Sequence, residues 1–153
     1  MTHPRHSAPE ADAWLTPPSG GRRARVLLLG LPFAGMGPSV FRDWHRDLPA
    51  AVEVRGVRLP GRESRFTQPA IPEMEPLADA LADALAPALD RPWAVYGHSM
   101  GALVAFETVR RLRDRGGREP AALFVGAMRG PHLPDRYPPL YDLPVDEFRE
   151  ELR

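Results

Sequence analysis

The chain has 153 residues, with 20 basic and 20 acidic side chains and zero formal net charge, which suits one domain with a buried core. It has no cysteine, which excludes disulfides, thiolate metal sites and cysteine catalysis. The charge balance argues against an electrostatic nucleic-acid binder, and no apolar run approaches a membrane span or a signal-peptide core. A cytoplasmic protein is the default expectation. Every basic residue is arginine, asparagine is absent and isoleucine occurs once, at Ile71. That pattern reads as codon bias in a GC-rich genome.

Residues 1–21 are polar, rich in small residues, and end in Pro17-Pro18-Ser19-Gly20-Gly21. They are expected to form a disordered leader with Trp14-Leu15 docking locally. The rest, 22–153, reads as one domain. Arg25-Val-Leu-Leu-Leu-Gly30 is a continuous apolar run, as in a strand buried on both faces. A loop with Pro32, Gly35, Gly37 and Pro38 follows. Ser39 to Leu48 then predict a helix stopped by Pro49. Val52, Val54, Val57 and Leu59 mark a second strand ended by Pro60-Gly61, and Arg62 to Pro72 read as a charged loop. Glu73 to Asp90 carry Met74, Leu77, Leu81, Leu85 and Leu89 at helical spacing, with Pro76 tolerated in the first turn and Pro87 breaking the end. Trp93 to Tyr96 predict a third strand and Met100 to Arg115 a helix capped by Gly116-Gly117. Ala122 to Gly126 predict a fourth strand. Met128 to Pro144 read as proline-rich loop, and Val145 to Leu152 start another helix. Such alternation predicts an α/β fold, a parallel sheet with helices on both faces.

The decisive motif is Gly97-His98-Ser99-Met100-Gly101. It fits G-x-S-x-G, follows a predicted strand and opens a predicted helix, the context that gives the pattern meaning. The glycines allow a sharp turn, Ser99 is held with Oγ exposed, and the N–H of Met100 points toward an oxyanion. A second donor is needed from the loop after the first strand, Gly30-Leu-Pro-Phe-Ala-Gly-Met-Gly37, and Ala34 is the candidate. A phosphate-cradling reading of that loop fails, because it lacks G-x-x-x-x-G-K-[ST].

With these residues in place, the sequence resembles the type II thioesterases of polyketide and nonribosomal peptide biosynthesis, which are α/β-hydrolases. The resemblance runs from about Val26 to Arg153. It is carried by Leu31-Pro-Phe-Ala-Gly35, Leu59-Pro-Gly-Arg-Glu63 with Arg65, Tyr96-Gly-His-Ser-Met-Gly-Ala102 and Arg129-Gly-Pro-His-Leu-Pro134. It implies hydrolysis of acyl thioesters on the phosphopantetheine arm of acyl or peptidyl carrier proteins, clearing stalled groups from an assembly line. It implies no protein-bound cofactor, since the substrate carries the phosphopantetheine, and no metal. Residues 129–153 would begin a lid over the acyl pocket. The family usually has His or a similar residue where Phe33 stands, and paired glycines where Gly35-Met36 stand.

A larger departure concerns the catalytic acid and base. In this fold the triad follows in the order Ser, Asp or Glu, His. The resemblance places the Asp and His beyond the lid, so neither is assigned in this chain. The domain is expected to be C-terminally truncated in the lid, about a hundred residues short. The 153 residues alone are expected to be unstable or nearly inactive, with an unpaired sheet edge near Leu123. His98 should leave the elbow in a different direction from Ser99 and reads as a structural histidine. His132 reads as structural or substrate-facing, His45 as solvated, and His3 and His6 as a weak metal pair. Asp142, Asp146 and Glu147 read as polar lid and helix-start residues.

Three functions fit these residues: a carrier-protein thioesterase, another α/β-hydrolase such as an esterase, and a non-catalytic carrier-protein-binding remnant. In the last, Arg62, Arg65 and Arg129 would meet an acidic carrier protein or the pantetheine phosphate. Solvated surface charge is the plainer reading of each arginine. Acyl-chain preference and oligomeric state are not legible.

Overall fold

The apolar run after Arg25 has two faces to bury. A computed structural model, which describes residues 8–20, 24–134 and 143–151, shows what covers them. Val26–Leu31 (β2) is the central strand of a five-stranded sheet with Ser19–Gly20 (β1), Val52–Gly56 (β3), Trp93–His98 (β4) and Ala122–Gly126 (β5). The order is β1-β3-β2-β4-β5. β3, β2, β4 and β5 are parallel, in registers such as Leu28↔Val54, Leu29↔Val95 and Gly97↔Val125. β1 is antiparallel to β3. The expected parallel sheet therefore holds for four strands, and the fifth is an antiparallel addition.

Side chains alternate across a strand, so the run divides into two cores. Leu27, Leu29 and Leu31 join Leu77, Leu81 and Leu85 of α2 (Met74–Leu85) and Val104, Val109 and Leu112 of α3 (Met100–Asp114). Each such leucine stabilises the fold by about 1.5–3 kcal/mol. Leu28 faces the other way, toward Phe41, Val54 and Ala94.

That second face is covered differently from the expectation. The predicted helix over 39–48 is two short 3₁₀ turns, Pro38–Phe41 and Trp44–Arg46. Phe41 ends the first turn and Trp44 opens the second; their ring centroids are 5.0 Å apart, and both pack on Tyr96. Helix α2 also ends early, at Leu85, before a 3₁₀ turn Ala86–Ala88. Pro87 lacks an N–H and its ring would meet the carbonyl of Asp83 in a continued helix. Helix α3 ends as its glycines predict: Gly116 has φ +69°, Gly117 N–H reaches Leu112 O at 2.8 Å and Gly116 N–H reaches Arg113 O at 2.9 Å.

The leader corrects a further expectation. Residues 8–20 are folded and not disordered, as helix α1 (Ala8–Trp14) followed by β1. Trp14 and Leu15 do dock, into the main core. The backbone then knits to β3: Arg58 N–H to Trp14 O at 2.7 Å and Thr16 N–H to Gly56 O at 2.9 Å. Pro17 and Pro18 precede an edge strand, where a missing donor costs nothing. Helix α4 (Val145–Glu151) lies where the sequence placed it. His3, His6 and Asp142 fall outside the described residues.

Candidate active site

β4 and α3 meet at one residue. Ser99 links them with φ +52° and ψ −119°, a left-handed backbone rare for a residue with a side chain. Its neighbours explain how the strain is held. A Cβ on Gly97 would strike the backbone of Gly101 and Ala102, and a Cβ on Gly101 would strike the carbonyl oxygens of Leu31 and Pro32. Ser99 N–H donates to Gly126 O at 2.9 Å, and Ala102 N–H to Ser99 O at 2.9 Å. Ser99 itself remains half-buried.

The contact at Gly101 sets the second feature. It brings the end of β2 against the first turn of α3. The chain then turns over Phe33–Met36, closed by Met36 N–H to Phe33 O at 3.2 Å, with Gly35 at φ +83°. The turn's own bond leaves Ala34 N–H unused, and Ala34 is exposed. Met100 is the first residue of α3, so its N–H has no partner within the helix. The two candidate oxyanion donors thus lie on segments that touch at Gly101, and Ser99 immediately precedes Met100.

His98 is committed elsewhere. Its Nδ1 lies 2.9 Å from Tyr96 Oη, and its ring meets Phe33 edge-on at 5.3 Å. Tyr96 and His98 are two apart on a strand and share a face, so this pairing was legible though not drawn from the sequence. Through its edge-on contact with His98, Phe33 keeps the 33–36 turn against the elbow. His132 is exposed and its ring lies over Gly130. His45 is half-buried, not simply solvated, with Nδ1 3.0 Å from Arg42 O. Asp146 and Glu147 sit exposed in the first turn of α4. Among the described residues no three His, Asp or Glu side chains gather to hold a metal, and no helix is long and apolar enough to cross a membrane.

The arginines divide. Arg65 belongs to the fold: Nη1 donates to Arg58 O at 2.9 Å, Nε to Gln68 Oε1 at 2.7 Å, and its guanidinium stacks 4.2 Å from the Trp14 ring centroid. Burial, then neighbouring Arg58, lowers its pKa. Arg62 lines a cleft of about 260 Å³ with Gly35, Met36 and Phe66, and Arg129 is exposed.

A sequence model of the thioesterase domain matches residues 27–153. The chain belongs to this family. It is 41% identical over 140 residues to the protein named linear gramicidin dehydrogenase LgrE of Brevibacillus parabrevis, covering 92% of this chain and 53% of that one. Among solved structures, the RedJ thioesterase from the prodiginine pathway of Streptomyces coelicolor superposes with a TM-score of 0.69 at 41% identity, over 84% of this chain and 48% of RedJ. The type II thioesterase BorB from the borrelidin biosynthetic cluster gives a TM-score of 0.74 at 28% identity, over 99% of this chain and 59% of BorB. The fold is that of the α/β-hydrolase thioesterases. The chain spans about half the length of the curated relatives it matches.

Proposed function

We propose that this chain carries the nucleophile and oxyanion donors of a serine thioesterase that removes acyl groups from the phosphopantetheine arm of acyl or peptidyl carrier proteins. The observation that carries the reading is Ser99, strained at φ +52° between β4 and α3, followed by Met100, whose N–H the helix leaves free, on an elbow that touches the strand end leading into the Ala34 turn. The similarity to type II thioesterases points to the same substrate class.

In the proposed cycle Ser99 Oγ attacks the thioester carbonyl carbon and forms a C–O bond. The carbonyl oxygen becomes an oxyanion that accepts from Met100 and Ala34 N–H. Collapse breaks the C–S bond, and the proton taken from Oγ by a general base ends on the departing thiol. Water then adds to the acyl-serine ester, releasing a carboxylic acid and restoring the hydroxyl. A thiolate is a far weaker base than an alkoxide, so leaving needs less acid assistance than in an oxygen ester. The family resemblance places the base and its carboxylate partner after the lid segment, so the cycle belongs to a protein that has both. The cleft at Met36 and Phe66, with Phe33 on the turn, offers apolar surface for the acyl group or pantetheine stem.

The test compares acyl-carrier-protein thioesters with matched oxygen esters, using the active protein and its Ser99→Ala variant. The expected result is preference for the thioester and a loss of at least about a thousandfold in kcat on substitution. Equal turnover of both esters favours a general esterase. Carrier-protein binding without turnover favours a binding remnant.

A further inference from the structure

We infer that Glu63 is a positioning residue for the oxyanion turn, clamping it from a loop 24 residues further along the chain. The inference rests on the proposed thioesterase reading.

The turn at 33–36 is weakly held by itself. It has one backbone hydrogen bond of its own, and Phe33, Ala34, Gly35 and Met36 are all exposed. An oxyanion donor contributes through being fixed before the charge develops, so such a turn needs external support. On the elbow side the support is the edge contact of Phe33 with His98. On the far side it is Glu63. One of its oxygens, Oε1, accepts from Ser39 N–H at 3.2 Å and from Ser39 Oγ–H. Its Cγ and Cδ lie over Gly37, where any Cβ would collide with them. Gly37 is thus the seat of the carboxylate, as well as the hinge between the turn and the Pro38–Phe41 segment.

The loop bearing Glu63 is built to hold a fixed place. Glu63 has φ +40°, a left-handed backbone that costs a side-chain-bearing residue about 1–2 kcal/mol. Gly61 N–H closes onto Arg65 O at 3.0 Å, Arg65 N–H onto Arg62 O at 2.8 Å and Phe66 N–H onto Glu63 O at 3.0 Å. Arg65 then ties the loop to the Arg58 carbonyl and the Trp14 ring. A continuous mechanical line runs from the core at Trp14 through Arg65 and Glu63 to Ser39 and Gly37. Arg65 and Glu63 of the L-P-G-R-E-x-R segment are its two middle links, one toward Trp14 and the other toward Ser39.

The experiment compares Glu63→Ala, Glu63→Gln and Ser39→Ala in the active protein. A donor displaced from the oxyanion acts in the transition state, so kcat falls and KM holds. Glu63→Ala is expected to lower kcat by about 30–100-fold with KM within about threefold. Glu63→Gln keeps the reach and an acceptor oxygen, and should recover most of that loss. Glu63→Ala combined with Ser39→Ala should be no slower than Glu63→Ala alone, because the two act as one unit. Glu63→Ala with kcat within threefold of the parent, or a raised KM with unchanged kcat, overturns the inference. Amide hydrogen exchange supplies a readout independent of turnover. In Glu63→Ala the Met36 and Ser39 amides should exchange faster while those of β2 and α3 do not; unchanged exchange overturns the clamp. If the parent and Ser99→Ala are equally inactive on thioesters, the functional reading has failed and the exchange result still decides the clamp.

Discussion

Gly101 is required by the carbonyl oxygens of Leu31 and Pro32, which occupy the space a methyl group would need. Those are backbone atoms at the end of a central strand, so they cannot swing aside as a side-chain tip would. Gly116 makes a contrast: it has φ +69° but nothing within 4 Å of its absent Cβ. Gly116→Ala should therefore cost only the left-handed backbone, about 1 kcal/mol. Gly101→Ala must push α3 away from β2, for about 3 kcal/mol or more, and move the Met100 N–H with it. Urea unfolding of both variants separates the two costs. In the active protein, Gly101→Ala should lose at least about a hundredfold in kcat while Gly116→Ala stays within about twofold. Equal losses would mean that the contact under Gly101 does not set the elbow.

At the scale of elements, the strands and α3 were legible because each carries its own signal. β4 and β5 are short apolar runs bounded by turn residues, and α3 has a helical stripe with two glycines to end it. The elbow was legible for the same reason, since strand, motif and helix are contiguous. Three features were hidden because distant residues decide them. Ser39 to Leu48 have helical periodicity, but Tyr96 draws Phe41 and Trp44 onto one face and the segment tightens into 3₁₀ turns. The Glu63–Ser39 pair spans 24 residues and leaves no local mark. Residues 8–20 look like a leader, yet Leu15 is only 1% exposed and bridges to Val57. A truly loose leader would tolerate Leu15→Ala at no cost. The packing shown predicts about 2–5 kcal/mol, read as a lower urea midpoint with unchanged slope. A midpoint equal to the parent's would return these residues to a leader.

Among the described residues, β1 and β5 lie at the two edges of the sheet. On one side β1, as far as the described residues go, is Ser19–Gly20 and offers little ladder for another strand. On the other side β5 is five residues long and, among the described residues, pairs only with β4. Phe124 on it is 53% exposed, and Leu123 opens onto a cavity of about 420 Å³ with Phe106 and Val109. A longer strand with an exposed aromatic and free backbone groups is a template for pairing with another chain. A polypeptide made as these 153 residues should therefore self-associate at about micromolar concentration, through β5 and not through β1. Phe124→Lys places a charge on that edge without touching the buried core. It should raise the monomer fraction in sedimentation velocity while shifting the unfolding midpoint by no more than about 0.5 kcal/mol in stability terms. A lysine on the β1 edge, Ser19→Lys, should leave association unchanged. If the two variants exchanged outcomes, the antiparallel addition at β1 would be the surface through which the chain meets itself, and β5 would need no partner to stay soluble.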